Sequence, residues 1–137
     1  MKSEFVSYEL ALKLKELGFD EPCFGYYDGN HNLQFMYNGI PEKFTEKRMG
    51  PADSVWIGWI SAPTYSQCFR WFREKHNIDG LLHKTAEGSY YFWITECEYE
   101  NYNHYKYYNQ MVYFNTYEEA ELACLERLIE LVESKSE

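Results

Sequence analysis

Apolar residues recur at helical spacing in three places along the chain. Leu10, Ala11, Leu14 and Leu17 line one side of a helix that opens at Ser7, a favourable N-cap, and stops before Gly18. Tyr65, Cys68, Phe69 and Phe72 form the stripe of a second helix, with Trp71 on its flank. Pro63 keeps the entering chain extended, and Thr64-Tyr65-Ser66-Gln67 fits a capping box. Ala120, Cys124, Leu128 and Leu131, widened by Leu125, Ile129 and Val132, mark a third helix that opens at Thr116 with another capping box. Each helix begins Ser/Thr-Tyr, which fits either a duplicated αββ unit or capping grammar alone.

Strands fill the intervals. Residues 23–27 and 33–37 flank Asp28-Gly29-Asn30-His31-Asn32 and predict a hairpin. Residues 38–54, with Gly39, Pro41, Gly50 and Pro51, predict a long loop, and 55–60 a short buried strand. Residues 78–84 and 89–97 flank Thr85-Ala86-Glu87-Gly88 as a second hairpin. Residues 98–110 predict a polar, Tyr-rich loop, and 111–114 a last strand before the third helix. The order αββ(β)αββ(β)α predicts an α+β fold: two layers, a mainly antiparallel sheet of about five strands with three helices, and a single domain over residues 1–137.

Alternation adds a constraint. Tyr90, Phe92 and Ile94 point to one side of their strand, and Tyr91, Trp93 and Thr95 to the other. Val55-Trp56-Ile57-Gly58-Trp59-Ile60 is two-sided in the same way. Helices covering one face leave a second apolar face, to be covered by loops or by another subunit.

Composition sharpens this picture. The chain has 137 residues, of which 14 are Tyr, 9 Phe and 4 Trp, more rings than a core of this size hides. The net charge is −9, and the third helix with its tail holds seven Glu against Arg127 and Lys135. No stretch forms a basic footprint, so direct nucleic-acid binding is not expected. Cys23, Cys68, Cys97 and Cys124 are widely spaced, with no C-x-x-C pair, and three lie in apolar runs. The N-terminus lacks an apolar signal region, and no run is long enough to cross a membrane. These features predict a reduced protein of the cytoplasm.

Candidate chemistry is sparse. No phosphate-binding loop, nucleophile elbow or H-E-x-x-H helix is present. His31, His76, His83 and His104 match no metal-ligand spacing, and Cys97 with His83 is the nearest approach to a nucleophile pair. No catalytic residue, metal or cofactor is therefore assigned. The most distinctive segment is Glu98-Tyr99-Glu100-Asn101-Tyr102-Asn103-His104-Tyr105-Lys106-Tyr107-Tyr108-Asn109. Tyr99, Tyr102, Tyr105, Tyr107 and Tyr108 are the candidate binding residues, because Tyr and Asn together make adaptable recognition surfaces. The alternative is a loop folded over the open sheet face.

Three stretches carry a resemblance. They are Val6-Ser7-Tyr8-Glu9-Leu10-Ala11 continuing to Pro22-Cys23, then Ser61-Ala62-Pro63-Thr64-Tyr65-Ser66-Gln67 continuing to Asn77-Ile78, then Asn115-Thr116-Tyr117-Glu118-Glu119-Ala120-Glu121. In that order they resemble a group of small uncharacterised proteins of bacteriophages and prophages of gut bacteria. The resemblance implies a phage or prophage setting within a bacterial cell. It brings no activity and no site residue. The function expected is a non-enzymatic interaction protein that binds an unknown protein partner or a second copy of itself. The alternatives are a carbohydrate- or nucleotide-binding module using the Tyr-rich loop, and a small enzyme with a dispersed site.

Overall fold

The computed structural model describes residues 4–44, 48–49, 55–56, 59–97, 105–108 and 112–135. The fold is α+β, with three helices and antiparallel strand pairing throughout the named strands. The chain divides into two compact units, Met1–Tyr65 and Ser66–Glu137.

In the first unit, α1 (Tyr8–Glu16) starts where Ser7 Oγ accepts the Leu10 N–H. It ends at Leu17, and Gly18 takes the positive φ of 98° that this turn requires. Leu10, Ala11 and Leu14 are buried, and α1 packs on β5. Strands β1 (Gly25–Tyr27) and β2 (Leu33–Phe35) form the predicted first hairpin. Its turn is organised by Asp28, whose Oδ1 accepts the N–H groups of Asn30 and Asn32.

The predicted loop at 38–54 contains a two-residue strand, β3 (Arg48–Met49), paired with β4 (Val55–Trp56). The predicted strand at 55–60 is thus divided. Its last residue instead opens β5 (Ile60–Ala62), which joins the other edge of β1 to give the order β2-β1-β5.

In the second unit, α2 (Tyr65–His76) buries Cys68, Trp71 and Phe72. Strands β6 (Ile78–Lys84) and β7 (Tyr90–Cys97) form the second hairpin in full register, from Ile78 opposite Glu96 to Lys84 opposite Tyr90. The predicted loop at 98–110 contains a third strand, β8 (Tyr105–Tyr108), on the outer edge of β7. Three of its four residues are tyrosines, which favour a pleated ladder. The predicted strand at 111–114 reduces, among the described residues, to one bridge between Phe114 and Tyr90.

Helix α3 (Tyr117–Lys135) begins where Thr116 Oγ1 accepts the Glu119 N–H. Its row Ala120, Cys124, Leu125, Leu128, Ile129, Leu131 and Val132 is buried, and α3 packs on β6 and β7. Beneath it Phe92 and Ile94 are buried. The sheet face predicted to lie under a helix is therefore the one carrying Phe92 and Ile94. Among the described residues the strands pair as β2-β1-β5, β3-β4 and β6-β7-β8.

Gly80 lies opposite Ile94 on that covered face. A Cβ there would stand 2.7 Å from Cys124 Sγ and 3.0 Å from the Phe69 ring. Gly80→Ala is expected to destabilise the protein by about 1–3 kcal/mol, as overpacking does. Cys124→Ala in the same chain should recover part of that loss. Urea unfolding of the two single variants and the double variant checks this, and strictly additive losses would refute the packing account.

Candidate functional site

The predicted binding residues separate. Tyr99 and Tyr102 lie outside the described residues. Position 105 pairs with 97, position 107 with Thr95 and Tyr108 with Ile94. Tyr108 is thus on the α3 side of the ladder, and its hydroxyl donates to Glu96 Oε2 at 3.1 Å.

Glu96 shares that side, one pleat beyond Ile94, and is almost fully buried. A buried carboxylate requires partners. The Tyr108 hydroxyl is one, and the Lys135 ammonium, in the last turn of α3, pairs with the other carboxylate oxygen. His76 closes α2 with its ring against Trp71 and Phe72, and its Nε2 is buried without a hydrogen-bond partner among the described residues. Burial first, and the Lys135 charge second, hold its imidazole below the usual value. Carboxylate, phenol, amine and imidazole therefore occur in one unit. Two contacts commit Glu96, so the arrangement joins α3 to β7 and β8 rather than presenting a poised acid or base.

The opposite face of the second unit carries rings. Leu81 faces Trp93 across the β6–β7 ladder, and His83 faces Tyr91. His83 stacks on Tyr91 at 5.1 Å between centroids, and Tyr113 meets Tyr91 edge-on at 5.9 Å. Leu81, Trp93 and Tyr113 remain 46%, 39% and 55% exposed. Trp93, Leu81 and Tyr113 together make an apolar patch with a polar imidazole beside it.

The remaining chemistry is quiet. Among the described residues, the Cys23, Cys68 and Cys124 thiols are buried and form no disulfide. Burial, with Glu21 adding to it, pushes the Cys23 thiol up to about 12, and burial with Glu121 does the same to Cys124, so neither supplies a thiolate near neutrality. His83 does not face Cys97. It pairs with Tyr91, six residues along β7, which is about 20 Å at the usual rise. Among the described residues, no group of three or more His, Cys, Asp or Glu is arranged to hold a metal ion. No helix among them is long and apolar enough to cross a membrane.

The exposed patch follows from the alternation of Tyr91, Trp93 and Thr95, which the sequence displays. Glu96 was not foreseen. Its signal is a single carboxylate continuing the apolar row of Phe92 and Ile94, but its lysine partner lies at the end of another element.

Two outcomes are expected. Lys135→Met should cost about 1–2 kcal/mol, less than a fully buried pair, because Lys135 is 47% exposed. Tyr108→Phe should cost about 1 kcal/mol, and the two losses should couple in a double-mutant cycle followed by urea unfolding. The folded-state pKa of His76 lies below its unfolded value of 6.5, so the unfolded chain takes up the proton first. Its contribution is complete above that value and is lost as the pH falls through the folded pKa. His76→Gln should flatten this slope in a pH series of melting temperatures.

Comparisons with protein-family models, with curated proteins and with solved structures each find no match to this chain.

Proposed function

We propose that this chain is a non-enzymatic interaction protein whose docking surface is the outer face of β6 and β7, with a second copy of the chain as its first partner. The observation that carries this reading is the exposed group of Leu81, Trp93 and Tyr113 on the face away from α3. Contiguous apolar rings rimmed by polar groups mark protein contacts more often than idle surface. Trp and Tyr are also the residues that anchor interfaces, because they bury large area for little lost freedom.

Self-pairing suits the patch. A twofold contact needs only that one surface complement itself, and a flat ladder of rings with imidazole at its side does so readily. The acidic row of α3 lies on the other side of this sheet, so its carboxylates are kept out of the contact itself. The resemblance to phage and prophage proteins fits an accessory role in the cytoplasm of a bacterial host, with a host or phage protein as a further partner.

Light scattering coupled to size exclusion, across a concentration series, tests the reading. The wild-type chain should form a dimer, and Leu81→Glu with Trp93→Glu should give a monomer with an unchanged far-ultraviolet spectrum. A wild-type monomer at the highest concentration, or a dimer unaffected by both charges, would overturn self-pairing through this face.

A further inference from the structure

Strand β6 lies at the end of its ladder, β6-β7-β8, so one of its sides faces no other strand among the described residues. The second hairpin fixes which main-chain groups of β6 are already used. The Thr85 N–H donates to the Ser89 carbonyl at 2.8 Å, so Thr85 and Ser89 are a directly bonded pair. Bonded and non-bonded pairs alternate along an antiparallel ladder. His83 with Tyr91, Leu81 with Trp93 and Asp79 with Thr95 are therefore the bonded pairs of β6 and β7. Tyr90 agrees, since its N–H and C=O turn the other way, to Phe114. The N–H and C=O groups of Ile78, Gly80, Leu82 and Lys84 thus point outward from β6. Those of Gly80 and Leu82 meet no hydrogen-bond partner among the described residues.

Such an edge asks for explanation. Exposed edges are usually kept short, or blunted by proline, a bulge or a central charge, because an open row of donors and acceptors invites another strand. β8, at the far edge of the ladder, is four residues long and carries Lys106. β6 runs for seven residues in unbroken register with β7, without proline, and its centre is Gly80-Leu81-Leu82. Its lysine, Lys84, stands at the very end. A cleft of about 330 Å³ opens beside Gly80, Leu81 and Leu82, and Phe69 of α2 and Tyr117 of α3 also line it.

The strand's own sequence selects the occupant. The outward groups of Ile78, Gly80, Leu82 and Lys84 are placed symmetrically about Leu81. Two copies of β6 run antiparallel with all seven residues matched only when Leu81 stands opposite Leu81 of the other copy. Gly80 then exchanges both bonds with Leu82 of the other copy, and Ile78 with Lys84. On the outer face, Asp79 of each copy comes beside His83 of the other, acid against imidazole rather than like against like. His83 Nε2 is buried without a hydrogen-bond partner among the described residues. Asp79 meets Arg73 at 3.8 Å and keeps 42% of its side chain exposed, so a further partner can reach it. On the helix side, Leu82 of the other copy comes opposite Gly80, which has no side chain to oppose it. An unrelated peptide would gain the main-chain bonds but has no reason to match this symmetry.

We propose that the outer edge of β6 pairs antiparallel with β6 of a second copy, about a twofold axis at Leu81, so that two three-stranded ladders become one continuous sheet. This rests on the self-pairing proposed for this chain and gives it a geometry. The copies meet edge to edge, and the row of Trp93 and Leu81 on the outer face runs on into that of the other copy.

Cysteine cross-linking of the full chain under mild oxidation tests this geometry, with the wild type run alongside to set the background from its own thiols. Leu81→Cys should link two chains, because facing residues of a non-bonded pair stand about 4.5 Å apart between Cα atoms, within disulfide reach. Trp93→Cys should not, since three strand spacings, about 14 Å, would separate the two positions. Leu81 and Trp93 are both exposed, so both variants should fold, which melting temperatures check. In the wild type, the Gly80 and Leu82 amides should exchange about tenfold more slowly, or slower still, at a concentration that favours the dimer than at one that favours the monomer. Three results overturn edge pairing and leave a face-on contact standing. They are a dimer in which Trp93→Cys links as readily as Leu81→Cys, a dimer in which Leu81→Cys does not link, and amide exchange indifferent to concentration. A wild-type monomer in light scattering overturns both this geometry and the self-pairing beneath it.

Discussion

β7 carries rings and branched side chains on both of its faces, and one helix covers only one of them. The second unit is arranged around this constraint. The row of Ala120, Cys124, Leu128 and Leu131 on α3 takes up the face bearing Phe92 and Ile94. Burying such side chains contributes about 1.5–3 kcal/mol each, so the face with the longer continuous row is the one the helix takes. Glu96 is drawn inside because it continues that row. It is tolerated there because Lys135 and Tyr108 reach it from the helix end and the edge strand. What the helix cannot cover becomes the exposed surface of Leu81, Trp93 and Tyr113.

The first unit meets the same difficulty and resolves it differently. Tyr27 turns to the side of Val6, whose carbonyl accepts its hydroxyl, and lies edge-on to Tyr8. Tyr26 turns the other way and is covered by Phe44 and Trp59, two residues outside any strand. Local chain thus supplies the second layer here, whereas in the second unit the outer face of β7 keeps its tryptophan partly in water. The incomplete cover around Tyr26 leaves a cleft, and the missing helix over Trp93 leaves a flat patch. Cleft and patch thus arise from one property of the strands.

Much of this was legible in the sequence. The three helix starts follow from Ser7, Thr64 and Thr116, and both hairpins from their turn residues, because those signals are local. The two-sided character of β7 was also readable from alternation alone. The strand at Tyr105–Tyr108 was not, since its flanking Asn and His residues mimic a loop and only pairing with the edge of β7 decides the matter. The division of residues 55–60 was hidden for the same reason: Trp56 and Ile60 find partners in different ladders. Glu96 with Lys135 is a pairing of residues far apart in sequence. No periodicity encodes it, so that chemistry had to come from the folded chain.

The crowding at Gly80 bears on the redox behaviour of the molecule. Cys124 Sγ occupies the space that even one extra carbon on Gly80 would need. On the Gly80 side, an oxygen added to that sulfur has no more room than the carbon would. While the chain is folded, burial and a thiol pKa of about 12 keep Cys124 in its unreactive protonated form. Once the chain opens, the thiol becomes ordinary. Folding thus shields this one atom, which meets oxidants as an ordinary thiol only when the chain opens.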